Sequence, residues 1–213
     1  MDFLNSWKMH RVFISYHHAN DQWYKEELIR WGERNGVFID ESVHSGDIPD
    51  DWDDEKIRIE IRDNYLRTTT VTILLVGTQT WARKHIDWEL YSSMRDSENN
   101  PKSGLVVVML PSTGCTHVYA GHSGEKTEVF TSVPANGWGP VSTREQCDKD
   151  YPYLPERIID QLLSSEAKVS IINWNDFYPY YPEKLETLIN NAYDHRASCK
   201  YNLSRPMRRK NLI

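Results

Sequence analysis

Four short runs of aliphatic and β-branched residues mark the first half of the chain: Arg11–Tyr16, Val37–Ile39, Val71–Val76 and Leu105–Leu110. Each is too short for a helix and is bounded by polar or turn-forming residues, the pattern of a buried strand. Between them the spacing changes to a helical period. Tyr24, Leu28 and Trp31 give one apolar stripe, with Asn20 or Asp21 as the expected cap and Asn35–Gly36 as the stop. A second helix is predicted over Glu55–Arg67, with Ile57, Ile61 and Tyr65 on one face, and a third from about Thr80 to Arg95. The alternation of strand and helix predicts an α/β fold, a parallel sheet of about five strands covered by helices on both faces in the flavodoxin-like order.

Regularity stops between Pro111 and Pro155. This stretch is rich in Gly, Ser, Thr and Pro, and Thr116–Ala120 with Thr127–Val133 is expected to pair as a hairpin across Gly121–Gly124. A connection of this length inside one domain is an elaboration rather than a turn. A fifth strand over Lys168–Ile172 and a last helix over Glu183–Arg196 follow, the helix striped by Leu185, Leu188, Ile189 and Ala192. The expected organisation is an N-terminal extension (1–10), one domain (11–200) with an irregular insertion (111–155) before the last strand, and a basic tail (201–213).

Composition narrows the function. A net charge of −6 argues against a general nucleic-acid or membrane binder. The basic cluster Arg205, Arg208, Arg209 and Lys210 reads as a solvated end. Three widely spaced cysteines, Cys115, Cys147 and Cys199, make neither a disulfide framework nor a zinc motif, and a reducing cytoplasm is the simplest setting. No apolar run reaches the ~20 residues of a membrane span, and Met1–His10 lacks the signal-peptide pattern. The acidic run Asp47, Asp50, Asp51, Asp53, Asp54 and Glu55 reads as solvated charge at a helix start, where the helix dipole favours it. Cys115, His117 and His122 lack a fourth ligand at any common zinc spacing, so no metal site is expected.

The most informative stretch runs from the third strand into the third helix. Thr70–Val76 stops at Gly77, and Ile86–Asp87–Trp88–Glu89–Leu90 then sets the Glu89 carboxylate between the bulky Trp88 and Leu90, with Trp81 close by. Open α/β sheets bind ligands outside the carboxyl ends of their strands. A glutamate half-desolvated there is placed to act on a ligand. From the residues alone, a surface carboxylate paired with Arg83, Lys84 or Arg95 is the competing reading.

The ordered set Phe13–Ile14–Ser15–Tyr16, Phe38–Ile39–Asp40, a glycine-containing loop, Thr70–Gly77 and Trp88–Glu89–Leu90 resembles the TIR-like proteins, and among them the stand-alone bacterial group that includes the TIR component of Thoeris anti-phage defence. The similarity covers about Arg11 to Leu110. The resemblance implies a flavodoxin-like TIR fold and an enzyme that cleaves the nicotinamide–ribose bond of NAD, in some members cyclising or transferring the ADP-ribose to make a signal. It implies Glu89 as the catalytic residue, a pocket lined by Ser15, Tyr16 and His17, and a gate over about Asp40 to Asp47. NAD is then substrate rather than cofactor. Partners implied are copies of the same chain and a separate effector reached through the nucleotide signal. Relatives often carry tryptophan four residues before the glutamate. His85 stands there, within reach of Glu89 at i,i+4, with Trp81 and Trp88 available for the packing role.

Such chemistry suits a carboxylate. Loss of nicotinamide leaves an oxocarbenium-like ribose, which negative charge near the ribose stabilises. Nicotinamide leaves without a proton, so one carboxylate suffices, and Tyr16, Trp81 or Trp88 is available to stack on a flat ring. Three other readings are weighed. A receiver domain would want acidic residues after the first strand, where Tyr16–His17–His18 stand, and an aspartate at the end of the third, where Val76–Gly77 stand. A flavodoxin would want a hydroxyl-rich phosphate loop, and no Walker or Rossmann glycine spacing is present. A transferase acting on another N-glycosidic bond would use the same glutamate. The main rival is a non-catalytic TIR-like module that binds a partner, separated from the enzyme by whether Glu89 faces an open pocket on which Ser15, Tyr16 and Asp40 converge.

Overall fold

Five parallel strands form the centre of the molecule, in the order β2-β1-β3-β4-β5: β1 (His10–Ser15), β2 (Phe38–Asp40), β3 (Val71–Val76), β4 (Gly104–Met109) and β5 (Val169–Asn173). The computed structural model of the chain describes residues 9–42, 52–61, 63, 66–97, 101–139 and 141–213. The expectations for the gate beyond Ser42, including Asp47, for Asp50, Asp51 and Tyr65, and for the side chains of Asp54 and Ile57, lie outside these residues. β3 and β4 are buried at every position, which is why they read as unbroken apolar runs rather than alternating ones. The flavodoxin-like order expected from the strand–helix alternation is the one observed.

Helices cover both faces. On one, α1 (His18–Arg34), α7 (Trp174–Phe177) and α8 (Pro182–His195) pack Leu28, Trp31, Trp174, Leu185, Leu188 and Ile189 against Ile14, Ile73 and Val106. On the other, α3 (Lys84–Met94), α5 (Arg144–Asp150) and α6 (Glu156–Leu162) pack Ile86, Leu90, Cys147, Ile158 and Leu162 against Leu74, Val107 and Ile171. A third, smaller cluster joins Phe13, Ile61, Leu66, Trp88 and Met207, and so ties β1, the end of α2 (Asp54–Glu60), α3 and the C-terminal segment together.

Four local expectations are corrected. The first helix starts at His18, with His17 at the cap position and no side-chain cap, and Asp21 is instead buried in its first turn. The second helix, over Asp54–Glu60, is shorter than expected, and beyond it the Leu66 N–H bonds the Ile61 carbonyl five residues back (3.1 Å). The third helix is broken: a 3₁₀ turn over Thr80–Ala82 precedes α3, and Arg83 between them is extended. The hairpin does not form. Thr127 lies in a short helix, α4 (Glu125–Glu128), and Tyr119 pairs antiparallel with Ile171 of β5, exchanging hydrogen bonds of 3.0 and 2.8 Å. The insertion thereby caps the outer edge of the sheet, whose open N–H and C=O groups need a partner.

Candidate active site

The chain passes from β1 out to β2 on one flank and then crosses back to β3 on the other, so the crevice at the carboxyl ends of β1 and β3 is the topological switch point of the sheet. Ser15 is the last residue of β1 and lies opposite Leu74 of β3. On α3, Ile86, Leu90 and Met94 face the sheet and Trp88 faces Phe13 and Met207. Glu89 lies between these two faces, and its Oε2 accepts a 2.6 Å hydrogen bond from Ser15 Oγ. Both side chains are buried, Glu89 at 5% exposure. Burial pushes the Glu89 carboxyl up to about 7, against the opposing effect of the Ser15 hydroxyl. Arg83 and Arg95 do not neutralise it: Arg83 bonds Gln79 and the Ile213 carbonyl, and Arg95 bonds Tyr91.

The other predicted residues divide into two groups. Tyr16 and His17 do gather at this end of the sheet. Tyr16 is buried, its hydroxyl donating to Gln22 (2.6 Å) and its ring stacked on His18 at 4.5 Å. Its phenol is pushed up by burial first, then by the charges of Glu89, Glu26 and Asp40. His17 is half-buried with Nδ1 enclosed and unpartnered, and burial, then Arg83 and His18, lower its pKa. Asp40 ends β2 opposite Val12, where it receives the Ser42 N–H at 3.0 Å, while Ser42 Oγ receives the Ile14 N–H at 2.9 Å. Ser15, Tyr16 and Asp40 thus converge around the end of β1, but Glu89 is shut beneath them rather than facing an open pocket. Asp47 lies outside the described residues.

The aromatic residues around α3 differ from expectation. Trp88 is 1% exposed and donates Nε1–H to the Arg208 carbonyl (2.7 Å), so it is core and presents no ring face for stacking. His85 is half-buried and meets Trp88 edge-on at 4.8 Å, so in place of a tryptophan it packs on one. Trp81 lies in the 3₁₀ turn, half-buried, its carbonyl receiving the Arg208 guanidinium (2.9 Å).

Two features at this end were not anticipated. Asp21 is 3% exposed with Oδ2 unpartnered, and burial pushes its carboxyl up to about 6. It sits directly on Gly77: a Cβ there would overlap the Asp21 carboxylate, 2.8 Å from its Cγ. The glycine that ends β3 was a visible signal, but its partner was not. The second feature corrects the solvated tail in part: Arg209 and Lys210 are exposed as expected, but Arg205 and Arg208 are engaged. Residues 205–213 lie against α3 and the 3₁₀ turn, with Met207 buried and Arg205 bridging Asp160 and Glu156. A lone arginine, Arg157, beside the apolar Ile158 and Ile159 of α6 was the clue: its fully buried guanidinium grips Asp87 of α3 through two bonds of 2.7 and 3.0 Å.

Among the described residues no cluster of three or more His, Cys, Asp or Glu side chains is placed to hold a metal ion, and the three cysteines are free thiols. Cys115 and His122 do not meet: Cys115 Sγ bonds the His117 and Asp150 carbonyls, whereas His122 lies by Glu125 and His195. Among the described residues no helix is long and apolar enough to cross a membrane.

A parallel sheet in this order, covered by helices on both faces, makes the chain an α/β protein of flavodoxin-like arrangement, consistent with a TIR fold. Residues 13–114 match the family described as Thoeris protein ThsB, TIR-like domain. This match starts within β1, ends just past β4 and covers just under half of the 213 residues. No curated protein matches the chain.

Proposed function

We propose that this protein is an NAD-processing enzyme of anti-phage defence that cleaves the nicotinamide–ribose bond, with Glu89 as the catalytic carboxylate. The observation that carries the reading is the Glu89 carboxyl at the switch point, buried, raised to about 7 and held by Ser15. In the reaction, the bond between ribose C1′ and the pyridinium nitrogen breaks and its electron pair leaves with nicotinamide, which becomes neutral. The positive charge moves to the ribose, where an ionised carboxylate stabilises it. Water then adds at C1′ and gives up a proton, or a hydroxyl or ring nitrogen of ADP-ribose adds instead and closes a cyclic product. Preorganised charge of this kind is worth ~3–4 kcal/mol, so Glu89→Gln should cost at least ~100-fold in rate.

A carboxyl at 5% exposure cannot touch a ribose, so turnover requires the crevice above it to open while α3 keeps Glu89 seated beside Ser15. The closed form corresponds to a resting protein, and self-association or an infection trigger would supply the opening. The product would act on a separate effector protein. The same burial favours a second reading, a non-catalytic TIR-like module in which Glu89 only fastens α3 to β1. One experiment separates them: NAD consumption with mass-spectrometric product identification, in infected and uninfected lysates expressing the protein or Glu89→Gln. Loss of NAD or a new ADP-ribose-derived species, absent with Glu89→Gln, is the expected result. No product from folded protein under either condition assigns the chain to the binding module.

A further inference from the structure

The helix that carries Glu89 has no cap of its own. Arg83 stands at the cap position of α3 with no side-chain acceptor for the orphan N–H groups of the first turn. The acceptor comes from the far end of the chain, where Asn211 Oδ1 takes the Lys84 N–H at 3.0 Å. The same segment holds the neighbouring residues. Leu212 N–H bonds the Ala82 carbonyl (3.0 Å), the Arg208 guanidinium bonds the Trp81 carbonyl (2.9 Å), and the Arg208 carbonyl takes Trp88 Nε1–H (2.7 Å). Asp87, two residues before Glu89, receives the Arg208 N–H (2.8 Å) as well as the Arg157 fork. Arg157 directs its remaining contacts to the carbonyls of Arg205 (3.2 Å) and Pro206 (3.1 Å).

We propose that residues 205–213 are a positioning element of the Glu89 site, with Asn211 capping α3 and the Asp87–Arg157 pair locking its first two turns to that segment. A buried ion pair is a poor source of net stability compared with apolar packing, but it fixes geometry, because breaking it leaves an uncompensated charge. Geometry is what Glu89 needs. Its 2.6 Å bond to Ser15 joins α3 to a strand of the sheet, and a small shift of the helix start would break it and admit water to the carboxyl. Asp87, Arg157 and Asn211 are therefore positioning residues acting through the helix, not groups that touch substrate.

The test uses the full chain as wild type, Asp87→Asn, Arg157→Lys and Asn211→Ala, with the Glu89 carboxyl followed by carbon-13 NMR titration and assigned by its absence in Glu89→Gln. Asn211 is exposed, so its substitution tests the cap in a protein that folds even if Asp87→Asn does not. The expected result is that Glu89 titration falls toward the ordinary carboxylate range in Asn211→Ala and further in Asp87→Asn, with Arg157→Lys in between. The kinetic arm rests on the NAD-cleaving reading: kcat should fall at least ~10-fold in Asp87→Asn while KM changes by less than about twofold. Folded variants with lower melting temperatures but unchanged Glu89 titration and unchanged kcat would overturn the proposal, leaving the segment a structural brace. A shifted titration in a protein that never cleaves NAD would uphold the positioning role and reject the enzymatic reading instead.

Discussion

Ser15 Oγ lies 2.6 Å from Glu89 Oε2, so the last residue of β1 and the helix after β3 meet in one buried hydrogen bond. That bond favours the ionised carboxylate, while burial opposes it and prevails, which places the group near neutrality. Ser15→Ala should push the Glu89 titration higher still. A hydrogen bond to a charged group is worth about 1.5–3 kcal/mol, so the ionised fraction at neutral pH should drop roughly tenfold or more. The pH–rate profile of NAD cleavage should move to higher pH in this variant. An unmoved profile would mean that a different group limits the rate.

Glu89 should also weaken the fold at the pH where it would work. Its folded pKa, about 7, lies above the ordinary 4.5, so the folded state holds the proton more tightly between these values. Its contribution to stability is fully present below about pH 4.5 and is lost as pH rises through about 7, a difference on the order of 3 kcal/mol. Glu89→Gln carries no such charge and keeps an acceptor for Ser15. Melting curves should show the variant matching wild type near pH 4 and exceeding it by several degrees at pH 8. A variant less stable than wild type at pH 8 would show that the carboxylate is better solvated or partnered than its burial indicates.

How much of this could be seen in advance differs between the sheet and its surroundings. β3 and β4 are buried on both faces, so Val71–Val76 and Leu105–Leu110 announce themselves by composition alone, and the alternation with helices leaves few arrangements. Glu89 stood out because it follows such a strand and stands between the bulky Trp88 and Leu90. Asp21, Asp87 and Arg157 did not, because each owes its role to a contact distant in sequence. Asp21 looks like a helix cap until Gly77 is set beneath it, and Arg157 meets Asp87 across 70 residues. The docking of Arg205 and Arg208 was hidden for the same reason: in a run of four basic residues nothing local separates these two, which meet Asp160, Glu156 and the Trp81 carbonyl, from the exposed Arg209 and Lys210.

The insertion is predicted to depend on Glu125. This side chain is fully buried at the amino end of β5, accepting from Ser170 Oγ (2.9 and 2.7 Å), Asn191 Nδ2 (3.3 Å) and the His122 N–H (3.3 Å). Burial raises its pKa, and beside it His122 is pushed down to about 4, chiefly by burial. Glu125→Ala leaves several donors without an acceptor, each costing ~1–3 kcal/mol when buried. Destabilisation of at least ~2 kcal/mol in urea melts is expected, with early hydrogen exchange at Tyr119 and Ile171, where the insertion joins the sheet edge. Late exchange at those two amides would show that the edge pairing holds without Glu125.

Gly77 and Asp21 form a pair that a double-mutant cycle can isolate. A side chain at Gly77 would overlap the Asp21 carboxylate, and Asp21, buried at 3% exposure, has little room to withdraw. Gly77→Ala alone should therefore destabilise by ~1–3 kcal/mol through overpacking. Asp21→Ala removes both the obstacle and an unpartnered buried oxygen, so alone it should cost little at pH 7, and less as pH rises from about 4 through 6, where the wild-type carboxyl becomes charged. Together the two substitutions should be at least ~1 kcal/mol more stable than the sum of their separate effects. Additive effects would mean that the clash is relieved by the backbone of the Gly77–Thr80 turn, in which Gly77 N–H bonds Thr80 Oγ1 at 2.9 Å, and lengthening of that bond would be the structural sign to look for.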